Sequence, residues 1–219
     1  MKIAIDGPAG AGKSTLARRL AANLSFLYID TGAMYRALTL QAWQEQIDFA
    51  DEAKLASLAN DLDIDLRDYQ GRLLVFINDN EVTEAIRQPH ISELVSRVAA
   101  YPAVRQVMVH KQQQLALSRN VVMDGRDIGE CVLPDAECKF YVTASLEERA
   151  RRRTEELRRQ GYSIQQVDVE EELRQRDYQD SNRQVGALKL LPDAQVIDTS
   201  NLDEEEVLSL VARKVEEAK

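Results

Sequence analysis

Gly7-Pro8-Ala9-Gly10-Ala11-Gly12-Lys13-Ser14 fits the phosphate-binding pattern G-x-x-x-x-G-K-[ST] at every fixed position. Glycines let a backbone adopt positive φ and approach a ligand with no Cβ in the way. The loop N–H groups then face phosphate oxygens, the Lys13 ammonium supplies a charge near the β- and γ-phosphates, and the Ser14 hydroxyl is a ligand for Mg²⁺. The flanks have the required order. Lys2-Ile3-Ala4-Ile5-Asp6 is a short, mostly apolar strand running into the loop, and Thr15 to Leu24 places Leu16, Leu20 and Leu24 on one helical stripe. A helix beginning at about Gly12 turns its positive end to the same anion. The stretch therefore predicts a nucleoside triphosphate site.

Outward from the loop, strands alternate with helices. Phe26-Leu27-Tyr28-Ile29 is a second strand ending in Asp30-Thr31-Gly32, where an open α/β sheet binds ligands. A helix starts around Ala33 and carries Arg36 in its first turns; this arginine reads equally as a cleft residue or as a solvated one. Residues 51–61 predict a helix with Leu55, Leu58, Ala59 and Leu62 on one face. Residues 60–85 change texture: strands at 63–67, 73–77 and 81–83 are separated by turns at Tyr69-Gln70-Gly71 and Asn78-Asp79-Asn80. Three successive antiparallel strands do not fit a parallel core and predict an inserted small sheet. Residues 90–118 return to helix, broken at Tyr101-Pro102, and carry Ser96 and Arg105.

Asn120-Val121-Val122-Met123-Asp124 is a third core strand whose terminal acid has the placement seen near Mg²⁺ in phosphate-loop enzymes. Gly125-Arg126-Asp127-Ile128-Gly129 follows, an arginine between two carboxylates at a strand end, which packing alone does not explain. Lys139 to Val142 is the fourth strand. Ser145 to Gly161 reads as a helix with Arg149, Arg151, Arg152, Arg153, Arg158 and Arg159 among interleaved glutamates. It is either a self-paired solvated helix or a lid closing over a triphosphate. A helix over 168–183 would put Arg176, Asp180 and Arg183 on one face, as an ion-pair stripe or as a site of two cations and an acceptor. Ala194 to Asp198 is the fifth strand, followed by a helix with Val207, Val211 and Val215 in register. The pattern predicts an α/β fold with a five-stranded parallel sheet between helices.

Composition narrows the partners. The 219 residues hold 28 Lys and Arg against 37 Asp and Glu, a net charge of −9. That balance argues against a broad grip on nucleic acid or an anionic membrane. No apolar run reaches membrane-spanning length, and a first strand starting at Lys2 predicts no signal peptide. Cys131 and Cys138 lack metal-ligand spacing and predict buried thiols in a reducing cytosol. His90 and His110 stand alone and read as packing or surface residues. No N-K-x-D motif for a guanine base is present. Arg36, Arg105, Arg126, Arg176 and Arg183 lie outside the triphosphate loop and would form a second anion site if they converge, as a kinase with a phosphate acceptor requires. A hydroxyl acceptor would instead need a base, for which Asp30 or Asp124 could serve, and a non-enzymatic nucleotide-responsive protein is a further alternative.

The segments Gly7 to Thr15, Asp30-Thr31-Gly32-Ala33-Met34-Tyr35-Arg36, Asp124-Gly125-Arg126-Asp127-Ile128-Gly129 and Arg176 to Arg183 together resemble the bacterial cytidylate kinases, members of the nucleoside monophosphate kinases. The resemblance spans nearly the whole chain and includes the three-stranded insertion; the TGAMYR and DGRDIG segments carry it, the phosphate loop alone does not. It implies a single P-loop kinase domain over 1–219, with a nucleoside monophosphate-binding region at about 31–105 and a helical lid at about 148–164. It implies transfer of the γ-phosphoryl group of ATP to CMP or dCMP with Mg²⁺, by a cytoplasmic monomer. By resemblance, ATP lies on Gly7, Pro8, Ala9, Gly10, Ala11, Gly12, Lys13, Ser14 and Thr15, with Mg²⁺ at Ser14 and the ATP phosphates. Arg36 and Arg126 grip the CMP phosphate, and Asp124 is counted with the CMP-binding residues. Thr31 (serine in many relatives), Ser96, Arg105, Asp127 and Arg183 surround the cytosine, and Asp180 with Arg176 takes the ribose. Lys13 and Arg126 are expected to be catalytic, with Arg149 and Arg153 as the candidate lid arginines.

Overall fold

β1 (Lys2–Asp6) is buried along nearly its whole length because it is the middle strand of a five-stranded sheet. The computed structural model describes residues 1–69 and 71–218. The sheet also contains β2 (Leu27–Asp30), β6 (Val121–Gly125), β7 (Cys138–Thr143) and β8 (Gln195–Asp198), in the order β2-β6-β1-β7-β8, with every pairing parallel. Parallel neighbours need long crossovers. They carry α1 (Lys13–Leu24), α2 (Thr31–Gln44), α3 (Glu52–Asp61), α4 (Pro89–Val98), α5 (Pro102–Ala116), α6 (Leu146–Arg159) and α7 (Gln166–Ser181), and α8 (Glu204–Glu217) follows the last strand. One face of the sheet packs with Met34, Leu38, Val104 and Met108; the other buries Leu16, Leu20, Val207 and Val211. The register brings Asp6 beside Gly125, so the loops leaving β1 and β6 emerge side by side at the carboxyl ends of these two adjacent strands.

The insertion is a separate antiparallel sheet of β3 (Ile64–Tyr69), β4 (Arg72–Ile77) and β5 (Asn80–Glu81). Asn78 and Asp79 both have positive φ, 47° and 64°, which makes a two-residue hairpin turn whose twist suits the flanking strands. The third strand is therefore one residue earlier and shorter than the 81–83 expected. Thr83 has already left it, and its hydroxyl accepts from the Val75 N–H at 3.0 Å. The turn expected at Tyr69-Gln70-Gly71 includes Gln70, which lies outside the described residues. The small sheet does not stand apart: Val75 and Ile77 join the core with α2, and Leu73 is buried with α1 residues.

Several boundaries shift for local reasons. β2 runs 27–30 rather than 26–29, and α2 begins directly at Thr31 because the Asp30 carboxylate caps it, accepting from Ala33 N at 2.7 Å. α7 ends at Ser181, with Asn182 as its cap, so Arg183 lies beyond the helix rather than on its face. Cys131 is half-buried, not buried, in an irregular turn at Ile128–Val132; Cys138 is buried, and both are free thiols.

Candidate active site

The glycine loop hugs the sheet. Gly7 has φ +148°, and a Cβ there would lie 1.9 Å from the Val142 carbonyl oxygen of β7, so the close passage admits only glycine. Gly12, at φ +85°, starts α1 without any side-chain cap, leaving the first helical N–H groups directed at the loop's concavity. Lys13 Nζ donates to the Pro8 carbonyl at 2.6 Å. Burial first, and then the Arg126 guanidinium, hold the Lys13 ammonium well below the usual lysine range. An anion beside it would relieve both effects.

Ser14 Oγ donates to Asp124 Oδ2 at 2.8 Å, and the Tyr28 hydroxyl donates to Asp124 Oδ1 at 2.9 Å. Burial, followed by the neighbouring Asp30, pushes the Asp124 carboxyl up to about 6. A hydroxyl and a carboxylate are hard oxygen donors of the kind Mg²⁺ takes, so the pair fits the expected ion. Among the described residues no cluster of three His, Cys, Asp or Glu could hold a metal alone. A cation here would complete its shell with ligand and water oxygens.

On the β6 side, Arg126 Nε donates to Asp180 Oδ2 at 2.7 Å and its Nη1 to the Gly125 carbonyl at 3.1 Å. Arg183 pairs with the other oxygen of Asp180. Asp180 is buried, which would raise its carboxyl, but Arg126, Arg183 and Arg176 outweigh burial and hold it below the usual range. Arg176 is lowered to about 10, by burial and then by Arg126. Arg105, almost fully buried, forms an ion pair with Asp127 and lies over the Tyr35 ring. Thr31 Oγ1 donates to the Asp124 carbonyl at 2.7 Å, and Arg36 Nη2 reaches Asp30 at 3.2 Å. Asp30 is thus engaged in a helix cap and an ion pair.

One cleft of about 1100 Å³ joins the two halves. Ala9 to Thr15 line it; Gly7 and Pro8 do not. Thr31, Arg36, Ser96, Arg105, Asp124, Arg126, Asp127, Arg176, Asp180 and Arg183 line the same cleft, so all ten residues expected at the acceptor site converge. Within it, Ser96 Oγ and the Nε atoms of Arg36, Arg105, Arg176 and Arg183 are buried without a hydrogen-bond partner. Buried polar atoms in native proteins mostly have partners, and a bound ligand could supply them here.

The arginine-rich helix divides. Arg149 is buried and faces inward: its Nη1 donates to the Ala9 carbonyl at 3.0 Å and to Asp177 at 2.7 Å, and its Nε to the Ala144 carbonyl at 3.1 Å. It clasps the phosphate loop from behind and does not line the cleft. Arg153 does line it, paired with Glu156 at 2.8 Å. Arg152, absent from the sequence-derived set, bonds Glu148 and both oxygens of Thr199; its Nη1 lies 3.8 Å from where a Gly12 Cβ would sit. Also unforeseen were Tyr28, through Asp124, and Asp6, whose carboxylate accepts from Ile128 N and Gly129 N at 2.8 Å each. The one sequence signal for Asp6 was an acid closing an otherwise apolar central strand.

A family model described as cytidylate kinase matches residues 3–217. A cytidylate kinase of Caldanaerobacter subterraneus is 52% identical over 96% of this chain and 92% of its own length. One of Bacillus subtilis is 49% identical over 99% and 97%. The crystal structure of an uncharacterized protein from Eubacterium ventriosum is similar in fold, with a TM-score of 0.57 at 11% identity, covering 99% of this chain and 98% of that one. With the phosphate loop, the paired strand ends and these relatives in agreement, the chain belongs to the cytidylate kinase family.

Proposed function

We propose that this kinase transfers the γ-phosphoryl group of ATP to a phosphate oxygen of CMP or dCMP, releasing ADP, and that the residues lining the shared cleft carry the reaction. The observation behind the acceptor assignment is the set of buried, unpartnered donors on Ser96, Arg36, Arg105, Arg176 and Arg183 beside a phosphate loop. Four guanidinium groups suit a phosphate and its nucleoside better than a neutral alcohol. A monophosphate oxygen is already anionic, so the new O–P bond forms without a general base while the bond to the β–γ bridging oxygen breaks.

The protein's task is to hold two repelling anions in line. Lys13 and the α1 amino terminus would bind the donor phosphates, and Arg36 with Arg126 the acceptor phosphate. Arg126 is close enough to Lys13 to disfavour its charge, so the two cations sit where transferring charge can be shared between them. Ser14 with Asp124 would hold Mg²⁺, which neutralises phosphate charge when bound. Because the Thr31 hydroxyl already donates to Asp124, it has only lone pairs to offer a base; these and the Asp127 carboxylate suit the amino group of cytosine and not the carbonyl of uracil. Asp180 with Arg176 would take the ribose, and dCMP would be accepted if Asp180 reads the 3′-hydroxyl.

The domain reading follows: one kinase domain, an acceptor region at about 31–105, and a lid at about 148–164 that closes over the donor. A monomer suffices, since every proposed contact lies within one chain. Among the described residues no helix is long and apolar enough to cross a membrane. The test is ADP release from Mg·ATP with CMP, dCMP, UMP, AMP and shikimate in parallel. Fast turnover with CMP and dCMP and weak turnover with UMP is expected. Equal turnover with UMP would remove the amino-group argument, and turnover only with shikimate would move the acceptor to a hydroxyl.

A further inference from the structure

Asp6 is the last residue of β1, and the next residue opens the phosphate loop. Its side chain does not face that loop. One carboxylate oxygen accepts from Ile128 N and the other from Gly129 N, each at 2.8 Å. These are the leading N–H groups of the irregular turn Ile128–Val132, which has no side-chain cap from Asp127. Asp6 is 6% exposed, and burying a carboxylate in a central strand is costly unless it is well bonded. Burial pushes its carboxyl up to about 6 against these two N–H bonds, with Asp127 adding to the rise and Lys13 opposing it.

We infer that Asp6 is a positioning residue for nucleotide selection: it fixes the peptide that follows Asp127, and so the direction of the side chain proposed to read the base. The inference rests on the reading of Asp127 given above. The peptide joining Asp127 to Ile128 is held by the first of the two bonds, and the second stops it from rotating. Arg126 and Asp127 therefore hang between the β6 ladder, where Asp6 pairs with Gly125, and the Asp6 carboxylate. The same residue that launches the donor loop tethers the acceptor loop. Only a group with two acceptor oxygens satisfies both N–H groups; an amide of equal size offers one oxygen and sets its own NH₂ against the other donor.

The test is Asp6→Asn with Asp127→Asn in parallel, reading kcat/KM for CMP and UMP and the Kd for ATP. Asp6→Asn is expected to lower the CMP-to-UMP ratio of kcat/KM by about tenfold and to leave the Kd for ATP within about twofold, since the phosphate loop makes no bond to the Asp6 side chain. Asp127→Asn should lower the ratio further. A ratio kept by Asp6→Asn but lost by Asp127→Asn would reduce Asp6 to a scaffold residue and overturn the inference. A ratio kept by both variants would overturn the base reading itself, and the inference with it. Weaker ATP binding in step with weaker CMP binding would mark a general loss of structure and equally overturn it. If Asp6→Asn does not fold, the ratio is read on Asp6→Ser, which is smaller and keeps one acceptor.

Discussion

Ser14 and Asp124 meet where the neighbouring strands β1 and β6 end, hydroxyl to carboxylate at 2.8 Å, although 110 residues separate them. The contact joins the donor loop to the end of β6. It also leaves Asp124 buried at 4% exposure, with its carboxyl raised to about 6. The ordinary value is 3.8. Between about 4 and 6 the native state keeps a proton that the unfolded chain has lost, so this group makes stability fall as pH rises through that window. Above it the full cost of the buried charge is present. Asp124→Asn removes that cost and the proposed Mg²⁺ ligand together. Its stability relative to wild type should grow from pH 4 to pH 7 in urea titrations, while kcat with Mg·ATP falls by roughly 10²-fold or more. A flat stability difference across that range would contradict the pH argument.

Lys13 poses the same conflict with the opposite charge. Burial and Arg126 hold its pKa down. The charged ammonium therefore costs stability at low pH, and the cost diminishes as pH rises through the folded-state pKa. Lys13→Met should lose roughly 10²- to 10³-fold in turnover, with a Tm no lower than wild type. Calorimetry beside the ADP-release assay decides it, and near-normal turnover would contradict the loop assignment.

Arg126 is proposed to act on donor and acceptor alike. Asp180 receives it on one oxygen and Arg183 on the other, with Arg176 also acting on that carboxylate. Removing Arg126 thus leaves Asp180 partnered, and the fold should survive. Arg126→Ala is expected to weaken CMP binding by about 10²-fold, because a guanidinium fork on a phosphate is lost, and to change ATP affinity far less. Titration calorimetry with each nucleotide separately reads this. Unchanged CMP affinity would favour a different acceptor.

Spacing made the phosphate loop and the Asp124-to-Gly129 segment legible, because their chemistry is local to a few residues that follow a strand. The five core strands were legible for the same reason: each is a short apolar run closed by an acid or a turn. What sequence could not supply was register. Asp6 acts on Ile128 and Gly129 only because β1 and β6 pair with Asp6 opposite Gly125. The end of α7 was missed by two residues, and Arg183 reached Asp180 from outside the helix instead of along its face. The arginines of α6 are hard to tell apart in sequence, because all but Arg149 have a glutamate three or four residues away. Packing separated them: Ala9 joins Ala150, Leu157, Val169 and Leu173 in a small core, and the residue turned toward that core is Arg149.

That division gives a contrast between two arginines one helical turn apart. Arg149 satisfies the Ala9 and Ala144 carbonyls and Asp177, all at the base of the loop. Arg149→Ala strips these acceptors, and Asp177 Oδ1 is already buried without a partner. Asp177 keeps some solvent access, its side chain being 23% exposed. Breaking the pair should therefore cost about 2 kcal/mol, somewhat less than a fully buried pair, and raise the Kd for ATP through a loosened loop. Among the described residues Arg153 is held only by Glu156, whose side chain is 44% exposed, and a pair so solvated contributes less than about 1 kcal/mol. Arg153→Ala should leave urea unfolding nearly unchanged, yet lower kcat by about tenfold or more if its guanidinium meets the transferring phosphoryl group. Urea titration and single-turnover kinetics on the two variants separate clasp from catalyst. Full kcat in Arg153→Ala would move the contribution of the proposed lid to Arg152, the arginine that already lies nearest Gly12.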